Sequence, residues 1–86
     1  MNECESWIEA WFKRRAGNGA LFQASTNYFE AGLIDSLGVM DLVLEAEAHF
    51  GIRFNERNFQ DRRFATIGGL ADIIREIEKG ARHGKG

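Results

Sequence analysis

Three stretches of this chain repeat their apolar positions every three to four residues, the spacing of helices that each bury one face. The first spans Glu3 to Arg15, where Cys4, Ile8 and Trp11 share a stripe flanked by Trp7 and Phe12. Glu3, Glu5 and Glu9 come early and Lys13, Arg14 and Arg15 late, the order a helix dipole favours. Gly17-Asn18-Gly19 supplies its stop. The second spans Ser36 to Phe50, with Asp35 as N-cap and Gly51 as terminator. Val39, Leu42, Val43, Ala46 and Phe50 form its inward face. The third follows a Thr66 cap: Ile67, Leu70, Ile74 and Ile77 share a face, and Gly80 is expected to end it.

Between the first two helices, residues 18–34 hold no sustained period. A connection of that length in a small domain is functional or anchored by its own side chains. Leu21, Phe22, Tyr28, Phe29, Leu33 and Ile34 are the expected anchors, and Asn27–Ala31 predicts one helical turn closed by Gly32. Ile52 and Phe54 lead into a short helical segment over 55–61, with Phe59 expected to point inward. Nothing alternates with period two for long enough to build a sheet. The pattern predicts an all-α bundle of three main helices plus a short helix in third position. It fills one domain over residues 1–80, with a flexible basic tail at 81–86.

The second helix is apolar over more than one stripe. Leu37, Met40 and Leu44 form a second row beside the inward face, and Asp41, Glu45 and His49 take what remains. A surface helix needs only one apolar stripe. The extra row either buries itself under the long loop and the third segment or offers a docking surface.

Composition narrows the field. Of 86 residues, 44% are hydrophobic and 28% charged, enough apolar content to fold and too little charge for a disordered chain. A formal net charge of −2 argues against a general nucleic-acid binder, and no apolar run approaches the length of a membrane span. The single cysteine, Cys4, sits on an apolar stripe and reads as a structural thiol; with no signal-like start, the expected compartment is the cytoplasm. His49 and His83 are isolated and match no metal-ligand spacing. Charge is regional: Asp41, Glu45 and Glu47 on one side, Arg53, Arg57, Arg62 and Arg63 on the other.

Ser36 is the residue that suggests chemistry. It stands in the first turn of a rigid helix, with Asp35 free to serve as the cap and no base or second nucleophile beside it in sequence. A capping box would need Glu or Gln three residues on, but Gly38 and Val39 occupy those positions. Gly38 costs helix stability there, which would be explained if bulk beside Ser36 must be avoided. A serine displayed without activation suits modification by another enzyme better than catalysis. A phosphodiester on its oxygen would sit at the positive end of the helix dipole.

Tyr28-Phe29-Glu30-Ala31-Gly32-Leu33-Ile34-Asp35-Ser36-Leu37, followed by an apolar–acidic helix ending in His49-Phe50-Gly51-Ile52, resembles the acyl and peptidyl carrier proteins. The resemblance runs from about Tyr28 to Ile77. It implies 4′-phosphopantetheine on Ser36, installed from coenzyme A by a phosphopantetheinyl transferase, with Asp35 assisting through the transferase's Mg²⁺. It also implies a face of Leu37, Met40, Asp41, Leu44 and Glu45 gripped in turn by a loading ligase or acyltransferase and by a downstream synthase or transferase. On this reading the chain is a monomeric carrier and not an enzyme. Three features depart from the fatty-acid carriers: the chain is close to neutral where they are strongly acidic, Gly38 replaces an acidic residue, and Asn55 stands where many have proline. The chain is closer to discrete D-alanyl, aminoacyl and specialised-biosynthesis carriers. The alternatives are a helical interaction module with no prosthetic group, and a helix-turn-helix DNA binder using Arg57, Arg62 and Arg63, which lacks a basic recognition helix.

Overall fold

A computed structural model describes residues 3–16, 23 and 25–83. Four helices follow one another: α1 (Glu3–Ala16), α2 (Ser36–Phe50), α3 (Glu56–Gln60) and α4 (Ile67–His83). A 3₁₀ turn, Arg62–Ala65, joins α3 to α4. The described residues contain no sheet, only an isolated antiparallel bridge between Asn27 and Thr66. The all-α bundle expected from the periodicity is the observed fold. The Gly17–Gly19 stop, the anchors Leu21 and Phe22, and residues 84–86 of the tail lie outside the described residues.

The core is what the stripes dictate. Ile8, Trp11 and Phe12 of α1, Leu42, Val43 and Ala46 of α2, and Ile67, Leu70, Ile73 and Ile74 of α4 are all buried. Tyr28, Ile52 and Phe64 complete the core from the connections. Caps are explicit. Asn55 and Asn58 bond each other's backbone N–H at the start of α3, and Thr66 Oγ1 accepts from Gly69 N at the start of α4.

Three expectations need correction. α4 does not stop at Gly80 but runs to His83, because glycine weakens a helix without forbidding it and the chain there stays right-handed. Phe59 is not buried; it is 46% exposed and packs its ring at a tilt against Phe54 and Phe64, since five residues make too short a helix to bury a face. Phe29 is 41% exposed beside Tyr28, so the anchoring role falls to Tyr28.

The long connection is fastened at its far end. Tyr28 N donates to Ala65 O and Ile67 N to Thr26 O, while the buried Tyr28 hydroxyl donates to the Phe64 carbonyl. Burial pushes that phenol well above its ordinary pKa, so it stays a donor. The single helical turn expected at Asn27–Ala31 is present. Asn27 Oδ1 accepts from Phe29 N and Glu30 N to open it. Gly32, at φ 73°, closes it with Gly32 N bonding Phe29 O and Leu33 N bonding Tyr28 O. The chain thus leaves a fixed point and reaches α2 within four residues.

Candidate functional site

Ser36 is the first residue of α2, and it is exposed. Asp35 caps the helix from an extended conformation, its Oδ1 accepting from Gly38 N at 2.7 Å. Val39 N bonds Asp35 O in the first regular bond of the helix, so the Asp35 side chain satisfies one of the orphan donors of the first turn, that of Gly38. The N–H groups of Ser36 and Leu37 remain at the positive end of the helix, beside the serine oxygen. This geometry fits a phosphodiester on Ser36: an accessible hydroxyl, backbone donors and a favourable dipole.

Gly38 has a different reason from the one expected. It is buried, and a Cβ there would lie 2.9 Å from Ile34 Cγ1 and 3.3 Å from Asp35 Oδ1. The small residue lets Ile34 and the cap close against the helix. It makes no room at Ser36, which lies about 200° away around the axis. A groove of about 370 Å³ on Gly38's flank is bordered by Arg15, Gly32, Leu33, Ile34 and Asp35.

The second apolar row of α2 is open to solvent. Leu37 is 80% exposed, Met40 52% and Leu44 59%, so Leu44 is not packed beneath the loop or α3. Ala48 extends the row by one turn, a residue too small to stand out in the sequence pattern.

The polar residues of α2 meet α1 in a ladder. The two helices run antiparallel, and partners recur every fourth residue on each. Trp7 stacks on His49 with ring centroids 5.2 Å apart. Trp11 Nε1 donates to Glu45 Oε1 at 3.0 Å. Arg15 approaches Asp41 at 3.7 Å and places its guanidinium 4.6 Å from the Trp11 ring. Asp41 and Glu45 therefore lie beside the apolar row but engage α1, which helical periodicity within α2 alone could not reveal. A tryptophan and a carboxylate spaced for an antiparallel pair were the only available signal.

The basic group after α2 is divided. Arg63 bonds both Asp61 and Glu76, tying the 3₁₀ turn to α4, whereas Arg53, Arg57 and Arg62 are exposed. Cys4 is buried, and burial together with Glu78 and Glu3 pushes its thiol up to about 11. Among the described residues no cluster of three or more His, Cys, Asp or Glu could hold a metal ion, and no helix is long and apolar enough to cross a membrane.

Comparison with curated proteins and with solved structures gave no significant match. A family model described as the phosphopantetheine attachment site matches residues 7–74, which takes in most of α1, the anchored loop, α2, α3 and the first two turns of α4. Domains of this family carry 4′-phosphopantetheine covalently, interact with modifying and synthetic enzymes and are generally not catalysts themselves. With a helical bundle that presents a serine at the head of its second helix, the chain belongs to the phosphopantetheine-binding family of acyl and peptidyl carrier proteins.

Proposed function

We propose that this chain is a discrete acyl or aminoacyl carrier, and that Ser36 is its attachment residue. The observation that carries the reading is the placement of Ser36: exposed in the first turn of α2, with the cap supplied by Asp35 and an open apolar row beginning at Leu37. The attached group supplies a thiol on a long arm, able to hold cargo as a thioester. The protein's own contribution is to position and present. Asp35 orders the first turn and offers a carboxylate next to the reacting oxygen, suited to assisting a transferase's Mg²⁺. Leu37, Met40 and Leu44, bordered by Asp41 and Glu45, form the face that a transferase, a loading ligase or acyltransferase, and a downstream synthase or transferase would use in turn. Cargo is chosen by the loading enzyme. The lone buried thiol suits a reducing cytoplasm.

The test is intact mass after incubation with coenzyme A, Mg²⁺ and a broad-range phosphopantetheinyl transferase. Wild type should gain one phosphopantetheine, and Ser36→Ala should gain none while keeping its helical spectrum. A modified Ser36→Ala protein would remove Ser36 from its assigned role.

A further inference from the structure

We infer that Arg15 selects the class of partner by masking the acidic edge of α2, an inference that rests on the carrier reading above. The exposed row Leu37–Met40–Leu44 has Asp41 and Glu45 along one edge, and both engage α1. Glu45 is committed to the fold: the indole of Trp11 is buried, and without this acceptor its N–H would be an orphan donor. Asp41 is different. Its pair with Arg15 is solvent-exposed on both sides and adds little to stability.

Its effect is on the field. A cation 3.7 Å from a carboxylate leaves only a local dipole for a protein approaching from beyond a screening length of about 8–10 Å. Arg15 is also kept in place by the face of Trp11, so the mask does not depend on the ion pair alone. Lys13 and Arg14, exposed in the same last turn of α1, add positive charge nearby. To an enzyme that captures carriers through a row of cationic side chains, such an edge offers the charge of Glu45 alone, with the cations of the last turn of α1 close by. The partner that fits has an apolar pocket for Leu37, Met40 and Leu44 and a rim of uncharged polar groups, with association that varies little with salt. Arg15 touches neither reacting atoms nor cargo; it determines specificity through Asp41.

The test uses a phosphopantetheinyl transferase with a basic carrier-binding surface as the probe, and rates are read by intact mass at about 20 mM and about 0.5 M salt. Arg15→Gln keeps a polar side chain at this position and removes the charge. It should speed modification about threefold at low salt, the effect of one unit charge on another about 6 Å away in water, and the gain should vanish at high salt. Asp41→Asn alone leaves the Arg15 charge unpaired and should slow modification by about the same threefold factor at low salt, and added to Arg15→Gln it should return the rate to that of wild type. Arg15→Lys should behave as wild type, because charge and not shape is at issue.

The inference fails if Arg15→Gln matches wild type at low salt, if its gain persists at high salt, or if the gain survives when Asp41→Asn is added. Helical content and melting are checked for each variant. If Arg15→Gln fails to fold, Arg15→Met, which also removes the charge, takes its place with the same expected gain. A wild type that gains no mass at all would instead overturn the carrier reading.

Discussion

Two glycines of α4 should respond in opposite directions to the same substitution. Helix propensity alone says that glycine to alanine in a helix stabilises by about 1 kcal/mol. Gly80 obeys that rule on structural grounds: a Cβ there meets nothing within 4 Å and the backbone is right-handed. At Gly69 a Cβ would lie 2.1 Å from the Arg63 carbonyl oxygen, 2.7 Å from Arg63 Cα and 2.7 Å from Thr66 Oγ1. Ordinary contact begins near 3.4 Å, so the 3₁₀ turn must retreat by about 1.3 Å. Overpacking of that kind costs about 2–3 kcal/mol, and disturbing the Thr66 cap adds about 1 kcal/mol. Against the gain of about 1 kcal/mol in propensity, Gly69→Ala should lose about 2–3 kcal/mol, or roughly 10–20 °C in melting temperature. Gly80→Ala should gain a few degrees. Thermal and urea melts followed at 222 nm would measure both. A Gly69→Ala protein as stable as wild type would refute the close packing of the turn on α4.

Three further outcomes follow from the site and its supports. Met40→Glu should leave melting near wild type, because the side chain is half exposed, yet slow modification or loading; an unfolded variant would show that the row is core. Arg63 holds the carboxyls of Asp61 and Glu76 below their ordinary values of 3.8 and 4.5, chiefly through side-chain hydrogen bonds. Lowered carboxyl values give stability that is complete above the unfolded values and lost as pH falls through the folded ones. Melting temperature should therefore decline below about pH 4.5, and Arg63→Gln should flatten that acid limb; an unchanged limb would dismiss the network. Cys4, with its thiol at about 11 and its side chain buried, should resist alkylation at pH 8 until denaturant is added, a contrast that thiol counting by mass would reveal.

Much of this was legible because helices write themselves into local periodicity. The stripes at Cys4–Trp11, Val39–Phe50 and Ile67–Ile77 placed three helices, and Asp35, Gly51 and Thr66 marked ends where backbone groups lack partners. The place of Ser36 at the head of α2 was legible for the same local reason. What escaped was tertiary. The pairing of α1 with α2 at every fourth residue depends on which way two helices run past each other. The use of Gly38 and Gly69 for close packing depends on neighbours that α-helical spacing does not specify. Gly80 misled because glycine ends helices when the backbone turns left-handed, as at Gly51, and here it does not. Phe59 misled because an aromatic residue in a short segment was expected to find a core, whereas the core was already filled by Phe64.

The bonds that join residues 26–28 to residues 64–67 have a consequence for the order of events in the life of the chain. Everything that sets Ser36 at the head of α2 is synthesised by Gly51, yet the seat for its approach loop is made 36 residues after Tyr28. A chain halted after Gly51 would possess the serine, its cap and its helix, but Tyr28 would have no carbonyl to hold and the loop no edge to join. A transferase that requires the seated loop would thus pass over nascent and truncated chains. With Ser36 as the proposed attachment residue, modification would become a late inspection, granted only to molecules whose α4 has already docked.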